Sequence, residues 1–204
     1  MPPKCKFENK KIINAAFSVL RKQGWEMISA RSIAKSLNSS TTPIYTYLKS
    51  MKNLKKELIK KTILILDDYL SRKNTGDKLL DMGVGYILFA KEEKYLFRFL
   101  NDEKHMGLII EHGRRIFKSK ADNLSDYHLT RNYSEADKIK YLFVGWMFSH
   151  GLADLINNSF DSYFPVFKDE KKITEFVFES IIRYWEGEKN IKQHNLLRGP
   201  NIKE

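Results

Sequence analysis

Apolar residues recur along most of the chain at intervals of three and four positions rather than two, which is the spacing of one face of an α-helix. Gly24 ends the first such segment in the position of a C-terminal cap. Ser29 then stands where an N-cap belongs, and Asn38 is a residue that tolerates a left-handed turn. Ser40 or Thr41 can cap a third helix. The pattern therefore predicts three short helices at the start of the chain.

Longer helices are predicted in the rest of the chain. The segment from Asn53 to Leu70 predicts a fourth helix, and a break is expected near Asp102 or Gly107. The residues from Asp122 to Asn132 are polar and predict a loop. The remaining helical segments are expected at about 77–92, 94–120, 134–157 and 170–186.

These segments predict an all-α protein of about nine helices. The three short helices would form an N-terminal unit over residues 1–50, and the longer ones a helical bundle over residues 51–187. Residues 188–204 carry scattered charges with Gly199 and Pro200, and they predict a flexible tail.

The charge is distributed unequally between these two parts. The chain has 204 residues and a net charge of +11. Residues 1–65 hold 14 Lys and Arg against three acidic residues, whereas residues 66–204 hold 22 of each sign. A basic head on a neutral body is typical of a module that binds a polyanion. The alternative is a solvated lysine surface that reflects an A+T-rich genome, although such a bias should load both parts equally.

Several classes of protein do not fit this composition. The chain has no stretch of about 20 apolar residues, so no membrane span and no membrane partner are expected. The N-terminus is polar and rich in lysine, unlike a secretory signal, and Cys5 is the single cysteine. We therefore expect a cytoplasmic protein without an internal disulfide.

Catalytic and metal-binding side chains do not form a recognised arrangement. His105 and His112 are two helical turns apart, roughly 10 Å along the axis, which is too far to share one metal ion. Glu111 and His112 are adjacent and point apart. The chain has no paired cysteines, no phosphate-binding glycine loop and no His-Glu-x-x-His. We therefore expect no catalytic residue, no metal site and no cofactor.

The second and third short helices, with a turn at Asn38 between them, match the helix-turn-helix arrangement, in which the second helix enters the major groove of DNA. Ile44 and Leu48 would face inward, and Lys49 and Lys52 would lie near the phosphates at its end. The alternative is that Tyr45 is a core residue and the threonines are ordinary surface residues. The side chains expected to protrude toward the groove are Thr41, Thr42, Tyr45, Thr46 and Tyr47.

At these positions the sequence resembles the TetR family of bacterial transcriptional regulators. The resemblance covers about residues 10–60. Three positions depart from the family pattern: Asn38 replaces the turn glycine, Leu48 replaces a phenylalanine, and Met51 stands where the family has a phosphate-contacting lysine. The family motifs appear here as Gly24, Ser29-Ala30-Arg31-Ser32-Ile33-Ala34, Asn38 and Ile44-Tyr45-Thr46-Tyr47-Leu48, followed by Lys49-Ser50-Met51-Lys52-Asn53-Leu54.

The resemblance implies a dimeric repressor that binds a palindromic double-stranded DNA operator and is released from it by a small-molecule effector. It places Ser29 and Arg31 on flanking phosphates, and it directs Thr41 and Thr42 toward base edges. Residues 1–50 would then be the DNA-binding domain and residues 51–187 the effector-binding and dimerisation domain. The full set of expected DNA contacts is Ser29, Arg31, Ser40, Thr41, Thr42, Tyr45, Thr46, Tyr47, Lys49 and Lys52.

The last two predicted helices carry more apolar surface than a monomer can easily bury. The helix from Ile173 to Trp185 has a single narrow charged stripe, and the helix before it contains the apolar run from Tyr141 to Phe148. Paired about a twofold axis, these helices predict a four-helix homodimer interface. The alternative is a deeply buried hairpin in a monomer. The expected interface residues are Leu152, Ile156, Phe178, Ile182 and Trp185.

The resemblance continues at Gly85-Tyr86-Ile87-Leu88-Phe89-Ala90-Lys91-Glu92-Glu93, at Leu96-Phe97-Arg98 and at Trp146-Met147-Phe148-Ser149-His150-Gly151-Leu152-Ala153. In the family these helices dimerise and enclose an effector cavity. His150 would contact the effector, or its imidazole would satisfy a neighbouring carbonyl. A filled core is the alternative for the aromatic residues. The candidates to line a cavity for an apolar or aromatic molecule are Tyr86, Phe89, Phe117, Phe143, Trp146 and Met147.

Two further functions fit the same pattern. One is a helix-turn-helix protein that activates transcription or organises DNA without a small-molecule effector. The other is an all-helical module that holds a small molecule and uses its basic head to bind an acidic partner protein.

Overall fold

The computed structural model describes residues 9–47, 51–127 and 130–158, together with residues 169, 172, 173, 176, 179, 180 and 183. This part of the chain is helical and contains no strand, which confirms the predicted all-α class. Two single 3-10 turns lie at Trp25–Met27 and Glu103–His105. The α-helices of the described part are α1 (Asn9–Gln23), α2 (Ala30–Ser36), α3 (Thr42–Tyr47), α4 (Met51–Leu70), α5 (Lys78–Glu92), α6 (Lys94–Asn101), α7 (Met106–Asn123) and α8 (Glu135–Asn157).

The short helices at the start begin and end where their local sequence predicts. Gly24 follows α1 with φ of 92°, and its amide donates to the carbonyl of Leu20 at 2.9 Å. Ser29 caps α2 by accepting from the amide of Ser32, whose hydroxyl accepts in return from the amide of Ser29. Asn38 adopts the left-handed conformation, with φ of 49°. These three predictions are confirmed.

The longer helices also match their predicted positions. The expected break falls at Asp102, which separates α6 from α7, and Asp77 and Ser134 cap α5 and α8 through their side chains. One boundary was wrong, since α7 continues to Asn123, past the predicted start of the loop. Its last turn is held in place by two buried side chains, that of Ala121 within the helix and that of Leu124, the first residue after the helix.

Part of the prediction lies outside the described residues. This applies to Leu48, to residues 188–204 and to most of the helix expected over 170–186. The described members of that last segment, at positions 172, 173, 176, 179, 180 and 183, are helical.

Helix α5 lies at the centre of the bundle and packs against α4, α6 and α8. Every residue from Val84 to Ala90 is buried, because neighbours cover this helix on several sides. Within the described part of the chain, no helix is both long enough and apolar enough to span a membrane. The central position of α5 makes it the framework around which the other helices are arranged.

The three short helices share one continuous apolar core with the bundle. Helix α1 packs against α4 and α6, and the guanidinium of Arg21 forms an ion pair with both carboxylate oxygens of Glu93. The ring of Trp25, just after α1, stacks on Phe99 of α6 with 5.3 Å between the ring centroids. The boundary predicted after residue 50 therefore separates two groups of helices that are in direct contact.

Helices α4 and α5 approach each other most closely at Gly85. A Cβ atom at this position would lie 2.1 Å from the carbonyl oxygen of Tyr69, far inside van der Waals contact. The obstructing atom belongs to the backbone, so it cannot rotate away. The absence of a side chain at Gly85 is therefore what allows α5 to lie against the end of α4.

This contact gives a stability prediction. Gly85→Ala should lower the free energy of unfolding by about 2 kcal/mol or more, because the two helices must separate to admit the methyl group. The matched control is Gly113→Ala within α7, where an added Cβ meets nothing within 4 Å. That change should raise stability by about 0.5–1 kcal/mol through helix propensity. Equal effects of the two substitutions in urea denaturation would contradict this account.

Candidate functional site

The first candidate site is the surface of α2 and α3. Ile44 is fully buried and anchors α3, whereas Tyr45 is 67% exposed, so the interpretation of Tyr45 as a core residue is wrong. Ser40 and Thr42 are exposed, and Thr41 is half-buried at the start of the helix. The structure therefore presents polar side chains of this short helix to solvent.

The flanking residues of this surface are placed as follows. Ser29 and Arg31 are exposed at the start of α2, and Lys52 is exposed in the first turn of α4. The hydroxyl of Ser29 is already engaged as the cap of its helix. Thr46 and Tyr47 belong to α3, but their side chains, like the whole of Lys49, lie outside the described residues.

The second candidate site is a cavity of about 190 Å³ between α4, α5, α7 and α8, closed at one end by α6. Tyr86, Phe89, Phe117 and Trp146 line it, as the sequence predicts. Its other lining residues are Ile63, Leu66, Leu70, Leu79, Met82, Gly83, Leu100, Asn101, Ile109, Gly113, Ile116, Lys120, Leu142, Gly145 and Ser149.

Three residues predicted to line the cavity do not do so. Phe143 and Met147 lie on the outer side of α8 and are about half exposed. His150 lies behind Tyr86, whose hydroxyl is 2.8 Å from His150 Nδ1. The partner of the imidazole is therefore a tyrosine hydroxyl and not the neighbouring carbonyl that was expected. Helical periodicity could not place these residues, because α8 is apolar on several faces.

The Tyr86–His150 pair is neutral in its hydrogen-bonded form. Burial raises the pKa of Tyr86 to about 12, against weaker opposing effects of Trp146 and Asn101. Burial also lowers the pKa of His150 from 6.5, and the charge of Asp154 opposes this only in part. The hydroxyl of Tyr86 and Nδ1 of His150 therefore share one hydrogen bond between two uncharged groups.

Lys120 and Ser149 are polar lining residues that the sequence analysis did not select. Lys120 Nζ lies 2.8 Å from a carboxylate oxygen of Asp67 and donates to Ser71 Oγ at 3.0 Å. Ser149 is only 2% exposed, and its hydroxyl has no hydrogen-bond partner within the described residues. The partners of Lys120 come from a part of the chain distant in sequence, and the burial of Ser149 depends on the packing of several helices. No local sequence pattern could therefore have identified these two residues.

The third candidate site is the outer side of α8. Leu152 and Ile156, which were expected at a dimer interface, are each 6% exposed and belong to the core of the subunit. This expectation was wrong because the face of α8 that bears them packs against α5. Phe178, Ile182 and Trp185 lie outside the described residues. The exposed apolar residues Ile139, Phe143, Met147 and Leu155 follow one another at multiples of four positions, and we call them the outer stripe of α8.

His105 lies at the contact between the head, which is formed by the three short N-terminal helices, and the bundle of longer helices. It is buried beside Trp25 and Phe99, and its Nδ1 lies 2.8 Å from the carbonyl oxygen of Phe99. Within the described residues, no group of three or more His, Cys, Asp or Glu side chains is arranged to hold a metal ion. His105 therefore has a packing role in this fold.

Comparison with known proteins adds no assignment. No protein-family model matches the chain, and no curated protein is significantly similar to it in sequence.

The Tyr86–His150 contact predicts a pH dependence of stability. The pKa of His150 is 6.5 in the unfolded chain and lower in the fold, so its contribution to stability is present above pH 6.5 and is lost as the pH falls below that value. We expect the loss of unfolding free energy between about pH 7.5 and about pH 5.5 to be smaller in His150→Gln than in the wild type. His112→Gln on α7 is the control and should keep the wild-type loss. Equal losses in all three proteins would contradict the prediction.

Proposed function

We propose that this chain is a transcriptional repressor of the TetR type, which binds a palindromic double-stranded DNA operator as a homodimer in the cytoplasm and releases it when a small molecule occupies the cavity. The observation that carries this proposal is the position of α4. This helix begins at Met51, directly after the segment that follows α3, and farther along it supplies Ile63, Leu66 and Leu70 to the cavity.

The surface of the head supports DNA as the partner. The excess positive charge of the chain lies within residues 1–65, where phosphates of a duplex would be attracted. Ile44 anchors α3 so that Thr42 and Tyr45 face solvent, with Arg31 and Lys52 exposed nearby along the chain. A short polar helix flanked by exposed cations suits a duplex groove, whose floor is read by hydrogen bonds and whose rims are phosphates.

The contacts of α6 support communication between the cavity and the head. Its last residues, Leu100 and Asn101, line the cavity, and Phe99 stacks against Trp25 of the head. A ligand changes DNA affinity only if it binds one arrangement of the head more tightly than another. Since α4 and α6 line the cavity and also contact α1 of the head, displacement of either helix by a ligand would move the head.

The outer stripe of α8 supports a homodimer. Its four members expose apolar side chains on a helix 23 residues long. Phe148, next to the stripe, lies against Phe176 of the following segment, with 6.5 Å between the ring centroids. A palindromic operator requires two heads related by a twofold axis, and a self-complementary apolar stripe would supply that symmetry.

The DNA-binding proposal predicts different effects for a residue that contacts phosphates and for a residue that contacts bases. Lys52→Ala should weaken binding to all duplexes and reduce the slope of log affinity against log salt concentration by about one. Thr42→Val removes a hydroxyl at nearly constant volume, and it should relax the preference at one position of each half-site. Fluorescence anisotropy with a duplex selected from a random pool, and with unselected duplex, measures both effects.

Lys78→Ala is the matched control, because it removes an exposed lysine from the start of α5 in the bundle. It should leave affinity and salt slope unchanged. If the protein bound no duplex, or if Lys52→Ala and Lys78→Ala behaved alike, the DNA-binding surface would be wrongly assigned. Selective capture of an acidic protein by the same head would then favour the alternative of a protein-binding module.

The dimer proposal predicts a mass of about 48 kDa in sedimentation, twice the chain mass of 24.0 kDa. Met147→Glu should shift the protein toward the monomer, because each subunit then places an unpaired charge in the apolar contact. Operator affinity should fall with it, although the substitution lies in the bundle. Leu64→Glu, at an exposed apolar residue of α4, is the control and should remain dimeric. A wild type that sediments as a monomer at micromolar concentration would refute the proposal.

A further inference from the structure

We infer that the cavity takes a neutral compound with one aromatic ring and one carbonyl oxygen, and that the hydroxyl of Ser149 donates a hydrogen bond to that oxygen. The biological meaning of this inference rests on the proposed repressor function, since the compound would be the effector. The binding itself depends only on the cavity and is measurable without DNA.

The size of the cavity limits the ligand to one ring. An engineered apolar cavity of about 150 Å³ in another protein accommodates benzene. The cavity of about 190 Å³ found here has room for a ring with a few additional atoms. A two-ring compound or a long acyl chain would exceed this volume.

The lining of the cavity favours an aromatic ring. Tyr86, Phe89, Phe117 and Trp146 contribute ring surface from α5, α7 and α8. Phe117 and Trp146 meet edge to face, with 5.9 Å between their centroids. Aromatic rings associate through such edge contacts and offset stacking, which adds to the gain from burial alone.

The polar group of the ligand is specified by Ser149, the one lining hydroxyl that lacks a partner in the described part of the chain. Ser149 Oγ is buried without a hydrogen bond, whereas the hydroxyl of Tyr86 is bonded to His150. The amide nitrogen of Asn101 donates to the carbonyl of Phe97, and Lys120 is held by Asp67. A buried hydroxyl without a partner is costly, so a ligand atom that satisfies it gains affinity.

Counting hydrogens distinguishes a carbonyl compound from a phenol. A carbonyl oxygen accepts the hydrogen of Ser149 and leaves no O–H group unpaired. A phenol that accepts from Ser149 must place its own hydrogen on a second acceptor, such as the hydroxyl oxygen of Tyr86 or the amide oxygen of Asn101, so it needs two aligned contacts where a carbonyl needs one. The cavity therefore favours a pure acceptor.

The charge at the cavity excludes a carboxylate. Lys120 is the cation among the lining residues, and Asp67 neutralises it at 2.8 Å. An anionic ligand would have to displace Asp67 or enter an apolar site without a counter-ion, and both are unfavourable. The ligand is therefore uncharged.

Three compounds of the same shape test these statements. Acetophenone carries the carbonyl oxygen, α-methylstyrene replaces that oxygen with carbon, and benzoate carries a negative charge. Calorimetry with the full chain should show acetophenone binding about three- to tenfold more tightly than α-methylstyrene, which is the effect of one net hydrogen bond. Benzoate should bind at least about tenfold more weakly than acetophenone.

Ser149→Ala should abolish the preference for acetophenone and retain the binding of α-methylstyrene. Ser119→Ala, at an exposed serine of α7, should keep the wild-type preference. The inference is overturned if benzoate binds best, if Ser149→Ala keeps the preference, or if none of the compounds binds. A protein that binds operator DNA but none of these compounds would retain the DNA-binding part of the proposed function and refute this inference. A protein that binds acetophenone with the expected preference but binds no DNA would retain this inference and refute the DNA-binding part of the proposed function.

Discussion

The buried carboxylate of Glu93 constrains how the head and the bundle fit together. It lies between α5 and α6 and is almost fully buried, so in its ionised form it requires a partner with a positive charge. Arg21 supplies that charge from the far end of α1, with two guanidinium nitrogens on the two carboxylate oxygens. An arginine at any other distance along α1 would leave the carboxylate unpaired. The pair therefore fixes the position of α1 along the bundle.

This pair also places α6 between the cavity and the N-terminal helices, where it contacts α1 and Trp25. Helix α6 begins directly after Glu93, so the ion pair at its start fixes where the helix emerges from α5. Arg98, one turn along, donates to the side chain and the carbonyl of Asn157 at the end of α8. Held at both points, the helix presents Phe99 to Trp25 and Leu100 to the cavity. A small displacement of α6 at the cavity would therefore also shift Phe99, which contacts the head.

The sequence predicted the helices well because their signals are local. Caps such as Ser29 and the left-handed turn at Asn38 depend on a few neighbouring residues, and the apolar spacing of three and four identifies a helix without knowledge of its partners. The prediction was less successful for α8, where an apolar run from Tyr141 to Phe148 has no distinct polar face. Leu152 was therefore assigned outward and Met147 inward, and the structure shows the reverse.

The site residues that the sequence could not predict are those whose role depends on distant contacts. Arg21 and Glu93 are 72 positions apart, and Ser149 stands out because the fold buries its hydroxyl without a hydrogen-bond partner among the described residues. Tyr86, in contrast, was predictable, since a tyrosine within an apolar helix usually lies in the core with its hydroxyl bonded. The type and spacing of residues in the sequence thus identify the aromatic rings that line the cavity, whereas hydrogen-bond partners can be identified only from the folded structure.

The glycines of the cavity explain why its volume remains open. Gly83, Gly113 and Gly145 line it from α5, α7 and α8, so three of the surrounding helices each lack a side chain at a position that faces the space. A fully enclosed apolar void would cost roughly 24 cal/mol per Å³, so about 4–5 kcal/mol is an upper limit for a volume of about 190 Å³, and a cavity that opens to solvent costs less. That limit is comparable to the whole stability of a small domain. Occupation by a ligand with matching surface would recover much of this free energy. The same glycines that weaken the empty bundle would therefore allow a ligand to stabilise one arrangement of the helices that contact the head.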